Sequence, residues 1–385
     1  MSLIENLNNL EISIINAKQT LVNNINNKGG EANVDETLTE IANKVLDIPS
    51  GEGGGGGNGE CALDFSIIGY DTALSNEVNA QINADIAYSK SLYDAWNPSK
   101  TSAYNLYKND TQLVYAPNID TSNVDNMYNM FYGCSKLTSV PQFDTSNVRS
   151  MQDMFYGCGI LPSVPLFNTS NVTEMSSMFT GCRKITTVPL LNTSNVTDMG
   201  NMFNSCTSLT SVPQFDTSNV TDMSYTFSGC TSLTSVPQFD TSNVTTMYSM
   251  FSNCSGLTSI PQFDTSNVTS MYGMVNSCKS LTSLPLLECG KVTNIGSFFG
   301  YSNLTTLTTL GGFKDLKIDW NDSYCLSKCP NLTYESVMNV INNLYDFRGN
   351  GDETTTRTLK LHSNSLALLN DDDKAVATSK GWILS

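Results

Sequence analysis

The chain has few basic residues and almost no histidine. It carries 20 Lys and Arg against 36 Asp and Glu, which gives a formal net charge of -16, and one histidine, His362. A surplus of negative charge repels nucleic-acid phosphates and anionic lipid surfaces. A zinc site usually combines cysteine with histidine, so the pair Cys325 and Cys329 is a weak candidate. The sequence therefore predicts no nucleic-acid partner, no membrane partner, no metal and no cofactor.

Long apolar runs are also missing. No stretch reaches the roughly 20 residues that a transmembrane helix needs. The first residues, Met1 to Asn6, lack the basic and apolar regions of a secretory signal. Hydrophobic residues make up 39% of the chain and charged residues 15%, which is ordinary for a folded protein. We expect a folded chain that neither spans a membrane nor uses conventional export.

Seven cysteines recur at a constant step of 24 residues. The unit reads [DN]-T-S-N-V-x-x-M-x-x-[MT]-[FV]-x-x-C-x-x-[LI]-x-[ST]-[VIL]-P-x-[FL], and an eighth, decayed copy begins at Glu288. Such a period is typical of a solenoid, in which each coil buries its apolar side chains only against its neighbours. The seven are Cys134, Cys158, Cys182, Cys206, Cys230, Cys254 and Cys278.

Each unit combines two periodicities. Val220, Met223 and Phe227 recur three and four residues apart, which predicts a helical turn begun by the preceding Thr-Ser-Asn. Leu233 to Val236 is too short for a helix, rich in β-branched residues and closed by a proline, which predicts a strand of about three residues. The sequence therefore predicts an α/β solenoid with short parallel strands on one side and helical turns on the other.

Three polar or reactive columns within the repeat have competing interpretations. The cysteines are expected to be buried structural thiols, with a disulfide or metal role as the alternative. The repeated Asn-Val-Thr matches a glycosylation pattern, but a ladder of asparagine side chains is the preferred interpretation. Asp216, Asp240 and Asp264 form a row that could bind a cation such as calcium or simply face solvent.

The unit resembles the BspA-like leucine-rich repeats of bacterial surface proteins. The segment Val220-Thr-Asp-Met223, continued to Cys230, is similar to the variant with the Asn-Thr-Ser-Asn-Val-Thr-x-Met signature, long known as a mycoplasma domain of unknown function. The resemblance covers about half of the chain. It implies a right-handed leucine-rich-repeat solenoid and a role in surface adhesion, and it brings no catalytic residues with it.

Shorter segments in the flanks are similar to tail and virion proteins of phages, including phages of gut Bacteroidales. These segments are 17–22, 27–30, 38–42, 86–98 and the ending Lys380-Gly381-Trp382. This likeness implies a virion fibre, tail appendage or decoration protein, located on the virion, that binds a host surface protein or glycan. The alternative is a bacterial surface or secreted adhesin. A glycan depolymerase is a third hypothesis, which the solvent-like positions of the acids disfavour.

The apolar pattern of the N-terminus follows a heptad seam. We predict that residues 1–50 form a helical anchor that contacts other virion proteins or copies of itself in a homo-oligomer. The alternative is an intramolecular hairpin with a second helix from Val34 to Leu46. The remaining predicted parts are a glycine-rich linker at 51–60, an N-terminal cap at 61–117, the solenoid at 118–312 and a C-terminal cap at 313–385. Helices are expected near 74–96, 334–344 and 371–380, with a strand at 358–361. The seam residues are Leu3, Leu7, Leu10, Ile14 and Leu21.

Tyrosines at variable positions of the repeat are the candidate contact residues. Exposed tyrosines are rigid contact groups that bind proteins and glycans well. They could equally be partly buried flanks of the helical turns. The candidates are Tyr128, Tyr132, Tyr156, Tyr225, Tyr248 and Tyr272.

Overall fold

The computed structural model describes residues 76–300, 305–318 and 326–385, which belong to two units. The described part of the first unit contains helix α1 (Asn76–Asp94) and the segments 113–119 and 139–143. These segments meet in a parallel bridge between Tyr115 and Ser139, where the Ala116 amide donates to the Ser139 carbonyl at 3.1 Å. The predicted helix is thus confirmed, whereas the anchor, the linker and the seam residues lie outside the described residues.

The second unit contains 98–112, 120–138 and the described residues from 144 onward, and it is a solenoid of 24-residue coils. In each coil we call the valine-to-cysteine part (220–230 in one coil) the ladder half and the leucine-to-phenylalanine part (233–239) the proline half. Residues at the same position of successive coils form a column. These three terms describe all the coils below.

Every second amide of the ladder half donates to the next coil. The Asp153 amide donates to the Ser176 carbonyl at 3.0 Å, whereas the neighbouring Met154 amide turns back to the Met151 carbonyl at 3.2 Å. An α-helix would instead bond each amide to the carbonyl four residues earlier. The predicted helical turn is therefore wrong: the segment is a chain of turns laced to its neighbours by hydrogen bonds.

Two left-handed residues in each coil prevent the helix. In one coil these are Asp153, with a φ of 54°, and Gly157, with a φ of 73°. A residue with positive φ cannot continue a right-handed helix, and glycine, asparagine and aspartate accept that conformation best. The same two columns have positive φ at Asn129, Gly133, Ser177, Gly181, Asn201, Ser205, Tyr225, Gly229, Ser249, Asn253, Gly273 and Ser277.

The proline half is extended but forms few bonds between coils. Thr258 donates its amide to the Thr234 carbonyl at 3.2 Å, whereas Pro237 has no amide to offer. The strand predicted at Leu233 to Val236 is therefore not formed. Among the described residues of the array, regular parallel strands occur only near its end. There β1 (Ser283–Leu284) pairs with β3 (Thr309–Leu310), and β2 (Leu287–Glu288) pairs with β4 (Phe313–Lys314).

Inward side chains of both halves fill the interior of the coils. Val220, Met223 and Phe227 are buried in the ladder half, as are Leu233 and Phe239 in the proline half. The Phe227 ring stacks on the Phe239 ring of the same coil at 6.1 Å between centroids. In the ladder half, successive phenylalanine rings also stack from coil to coil at 5.6–5.8 Å. Each coil thus covers the apolar side chains of the next.

The array begins earlier than the sequence predicted. Residues 98–112 were assigned to the N-terminal cap, but the Ala103 amide donates to the Asn126 carbonyl and the Tyr107 amide to the Met130 carbonyl, both at 2.9 Å. These are the bonds of a ladder half. The segment has neither the Thr-Ser-Asn signature nor the cysteine, so the repeat pattern could not identify it.

The C-terminal part of the second unit contains a 3-10 turn (Leu326–Lys328), three predicted elements and two elements that were not predicted. The helices α2 (Tyr334–Asn343) and α4 (Asp371–Ser379) and the strand β5 (Arg357–Leu359) match the predicted elements within two residues. The short helix α3 (Ser363–Ala367) and the strand β6 (Trp382–Leu384) were not predicted, and β6 pairs with β5 in parallel.

Side chains near the end of the chain tie these elements together. The Lys380 ammonium group donates to the carbonyls of Ile341, Asn342 and Leu344, which lie in the last turn and at the C-terminal end of α2. A cation at this end complements the helix dipole. The Trp382 indole donates to the Tyr345 carbonyl at 2.9 Å. The Lys-Gly-Trp ending therefore has a structural explanation within this chain.

Candidate functional site

The seven cysteines at the end of the ladder halves lie in one continuous file. The Cys206 thiol donates to the Phe179 carbonyl of the preceding coil at 3.0 Å, and that carbonyl also accepts the Cys182 amide at 3.0 Å. A carbonyl oxygen has two lone pairs, so both donors are accommodated. The same thiol bond recurs at 2.9–3.1 Å for Cys134, Cys158, Cys182, Cys230, Cys254 and Cys278.

Burial makes these thiols chemically inert near neutral pH. It raises the pKa of Cys134, Cys206 and Cys254 to about 12 and lifts the pKa of the other four well above the usual range. The thiolate is the form that attacks electrophiles and binds metals. In the described part of the chain, no group of three His, Cys, Asp or Glu side chains is placed to hold a metal ion.

The Asn-Val-Thr asparagines form a ladder on the surface. The side-chain amide of Asn195 donates to the Ser170 carbonyl at 2.8 Å, and that of Asn219 donates to the Ser194 carbonyl at 2.8 Å. Each asparagine thus joins its coil to the preceding one. The arrangement explains the repeated asparagine without a glycan.

The aspartate row faces solvent and stabilises local turns. Asp216 accepts hydrogen bonds from the Ser218 amide at 3.1 Å and the Ser218 hydroxyl at 2.7 Å. These two bonds hold the pKa of Asp216 below its usual value. Asp240 and Asp264 have lowered pKa values for the same reason, with Ser242 and Ser266 as donors. The row therefore consists of separate turn-forming carboxylates.

The candidate tyrosines are half-buried and stack on one another in two groups. Tyr128 stacks on Tyr104 with centroids 5.3 Å apart, and Tyr132 stacks on Tyr156 at 4.5 Å. The Lys108 ammonium group lies 4.7 Å from the centroid of the Tyr132 ring. In the second group Tyr248 stacks on Tyr272 at 4.9 Å, whereas the Tyr225 ring is tilted by 47° against the Tyr248 ring at 5.2 Å. Stacked rings cover each other's faces, so mainly ring edges and hydroxyls remain for a partner.

A polar depression on the surface of the ladder halves was not predicted from the sequence. Its volume is about 300 Å³, and it is lined by Asp125, Asn126, Arg149, Ser150, Thr173 and Glu174. These residues come from two columns of three successive coils, since Asn126, Ser150 and Glu174 pair in consecutive parallel bridges. Arg149 is the residue that could have revealed the depression from the sequence, because threonine occupies its position in the six following coils.

The family comparison matches most of the array. The family described as "Mycoplasma protein of unknown function, DUF285" matches residues 100–211, 186–285 and 208–306. No helix among the residues described here combines the length and apolar character needed to cross a membrane. None of the curated proteins compared with the chain matches it.

Solved structures similar to this chain include leucine-rich repeat proteins. A leucine-rich repeat protein of T. pallidum is 22% identical, covers 43% of this chain and 76% of its own, and gives a TM-score of 0.35. A leucine-rich cell surface protein from Faecalibacterium prausnitzii is 16% identical, covers 68% and 70%, and gives 0.33. The functional domain of InlJ from Listeria monocytogenes, which includes a cysteine ladder, is 14% identical, covers 65% and 70%, and gives 0.17.

None of these matches is a virion protein, so the comparisons give no support to the virion hypothesis. The matched residues 100–306 span more than half of the 385 residues. They also contain the columns of valine, methionine, phenylalanine and cysteine on which the resemblance to BspA-like repeats rests. The chain therefore belongs to the family described as "Mycoplasma protein of unknown function, DUF285", whose repeats are of the BspA-like leucine-rich type.

Proposed function

We propose that this chain is a non-enzymatic adhesin that acts at a bacterial surface, attached or secreted, and binds a host surface protein or glycan. One observation carries the proposal: the inward columns are closely packed, whereas several outward columns of the ladder half carry different residues from coil to coil. Val220 and Cys230 have no exposed surface, and Met223 has 1%. A ligand must therefore bind on the outer face, as in other repeat proteins.

The variable outward positions give this surface its chemical character. The two groups of tyrosines and Arg149 interrupt columns that otherwise carry small or polar residues. Tyrosine and arginine are enriched where proteins bind partners. Their placement on a rigid, repeated scaffold supports recognition as the task of the array.

The carboxylates of the depression around Arg149 favour binding over hydrolysis. A glycosidase places one acid in an apolar environment that raises its pKa, opposite a second carboxylate. Asp125 and Glu174 are the carboxylates of the depression, and both are exposed. Neither has the apolar surroundings that a general acid needs.

The experiment that tests the proposal locates the chain and measures its binding. Antibodies against the full chain should label intact bacterial cells or their medium, and protease treatment of intact cells should remove the cell label. The purified full chain should bind host cells in a saturable manner, and unlabelled chain should compete. Recovery of the chain in purified phage particles, with no label on cells or in medium, would overturn the proposal in favour of a virion protein.

A further inference from the structure

The file of cysteine thiols begins one coil inside the array. In the first coil, residues 98–112, Asp110 occupies the cysteine column, and its amide makes the same turn bond as the cysteine amides do, to the Tyr107 carbonyl at 3.0 Å. At the other end, the position 24 residues after Cys278 is Ser302. In this column, cysteine therefore occurs only in coils that have a neighbouring coil of the repeat on both sides.

Neighbouring coils are what shields these thiols. The Cys134 thiol donates to the Tyr107 carbonyl of the first coil at 3.0 Å, and the Tyr107 ring stacks on the Phe131 ring at 5.5 Å between centroids. None of the seven cysteines has exposed surface. Burial is the main cause of their raised pKa values, whereas a thiol in water has a pKa near about 8.5. An inert thiol therefore becomes a reactive one when the coil beside it moves away.

The array can open from an end without unfolding as a whole. A coil contacts only the coils beside it, so the stability of an array is a sum over neighbouring pairs. Within the array, an end coil has one such neighbour where a middle coil has two. Separation of the first coil breaks the bonds of the Ala103 and Tyr107 amides to the second coil. It uncovers the Cys134 thiol, while thiols further inside, such as that of Cys206, stay covered.

We propose that the thiol file is a redox-sensitive latch: a cysteine uncovered by the separation of coils forms a mixed disulfide with a small disulfide, and the adduct prevents the coils from closing. Small disulfides persist outside the cell, so the setting of the latch rests on the proposed surface location. Coils that have opened and reacted then stay open until a reductant removes the adduct.

The chemical step is thiol–disulfide exchange. The uncovered thiol releases its proton to water, and the thiolate attacks one sulfur atom of the small disulfide. A new S–S bond forms as the old one breaks, and the other half of the small disulfide leaves as a thiolate. The adduct cannot return to a position with no exposed surface, because a closely packed interior has no room for it.

The test treats the full chain with oxidised glutathione and reads each cysteine of the file by mass spectrometry. Without urea, each should react at least about 100-fold more slowly than in the urea-unfolded chain, since reaction then requires opening. In urea below the unfolding transition, Cys134 and Cys278 should react at least about tenfold faster than Cys206, because end coils open first.

Amide hydrogen exchange of Tyr107 reports whether the first coil closes again. This amide donates to the Met130 carbonyl at 2.9 Å in the closed array. After treatment with glutathione in urea, removal of both should leave the Tyr107 amide unprotected, and addition of a reductant should restore its protection. In the Cys134→Ala variant, the same amide should regain protection without a reductant, since that chain has no thiol at the first position of the file.

A second variant tests the shielding by neighbouring coils. Asp110→Cys places a thiol in the first coil, and this thiol should react without urea at least about tenfold faster than Cys134. Equal reactivity of the two would overturn the inference. So would modification of all seven cysteines in one step, or full protection of Tyr107 in the modified chain before a reductant is added.

These measurements are independent of adhesion. If the modified chain closes without a reductant but the unaltered chain still binds host cells, the latch is wrong and the adhesive function stands. If the latch behaves as expected but the chain attaches to no cell surface, the adhesive function is wrong and the latch stands.

Discussion

The two halves of each coil bury similar apolar side chains but satisfy their backbones differently. In the ladder half, the Asp153 and Phe155 amides bond to the next coil at 3.0 and 2.9 Å. In the proline half, Pro237 has no amide, and among the described residues of the array strands form only at its end. Regular hydrogen bonding constrains every residue of the ladder half, whereas side-chain packing constrains only the inward residues of the proline half.

Sequence variation follows this difference. The proline half tolerates Pro162 where other coils have threonine, and Leu191 where most have phenylalanine. It also exposes Leu166 and Leu190, at 59% and 61%, in a column where four coils carry glutamine. In the ladder half, the phenylalanine column stays aromatic from Tyr107 to Phe251. The difference predicts unequal responses to matched substitutions in the two halves.

The largest loss of stability is expected in the phenylalanine columns. Phe203→Ala in the ladder half should lower the free energy of unfolding by about 3–5 kcal/mol, because it leaves a cavity between two stacked rings. Phe215→Ala in the proline half should cost less than that, about 2–3 kcal/mol, because this column also carries the smaller leucine at 191 and 287 and its surroundings can close around a smaller side chain. Urea unfolding followed by circular dichroism measures both. Equal losses would show that the two halves are equally constrained.

Proline substitution probes the backbone directly. Ser249 has a φ of 51° and donates its amide to the Tyr272 carbonyl at 2.7 Å. Proline can adopt neither that φ nor that bond, so Ser249→Pro should cost about 3 kcal/mol or more. Thr234→Pro places proline in the column of Pro162 and should cost less than about 1 kcal/mol. If Thr234→Pro lowered the free energy of unfolding as much as Ser249→Pro does, the proline half would be as strictly constrained by its backbone as the ladder half, which would contradict the account.

The file of cysteine thiols makes a smaller contribution to the stability of the ladder half. Cys206→Ala should lower the free energy of unfolding by about 1–2 kcal/mol, because it removes the thiol bond to the Phe179 carbonyl and leaves a small gap. Ser208→Ala, two residues further, should change stability by less than about 0.5 kcal/mol. Thermal unfolding at pH 7 compares the two variants. If Cys206→Ala left the free energy of unfolding unchanged, the thiol hydrogen bond would contribute nothing to stability.

The same file should make the fold sensitive to alkali. Burial raises the pKa of Cys206 and Cys254 to about 12, whereas a thiol in the unfolded chain ionises near about 8.5. The folded state therefore keeps these thiols protonated to a higher pH than the unfolded chain does. The stability from this difference is complete below about pH 8.5 and is lost as the pH rises toward 12. Melting temperatures between pH 7 and pH 10.5 should fall, and less steeply for a Cys206→Ala, Cys254→Ala double variant.

The smallest effect is expected at the exposed aspartates between the halves. Hydrogen bonds from Ser218 lower the pKa of Asp216, so its contribution is present above about pH 3.9 and lost as the pH falls. Water screens this exposed group, and asparagine occupies the column at Asn168 and Asn192. Asp216→Asn should therefore change stability by less than about 0.5 kcal/mol at pH 7. It should also reduce the loss of stability between pH 5 and pH 3.

The repeat was predictable from the sequence because the inward columns of Val220, Met223, Phe227 and Cys230 keep constant spacing. The conformation between them was not. The spacing of three and four residues is shared by a helix and by a chain of turns, and the left-handed residues that decide between them include Tyr225. Tyrosine gives no sequence signal for positive φ.

The candidate site was predictable only in part. The tyrosines were found because aromatic residues stand out in polar columns, but their stacking on one another depends on the coil spacing. The depression around Arg149 is formed by single residues in three coils. A repeat motif describes only what the coils share, so it does not show residues that occur in one coil. Arg149 could have been found by comparing its column with threonine at 173, 197 and 221. Ser150 could not, since its place in the depression is a property of the packed structure.

Amide hydrogen exchange on the full chain tests the central comparison most directly. The structure predicts slow exchange for the ladder-half amides that reach the next coil, such as those of Asp153, Phe155 and Gly157. It predicts faster exchange for the proline-half amides between Leu233 and Phe239. Uniform protection of both halves, or a helical pattern in which consecutive ladder-half amides are protected within a single coil, would contradict the account.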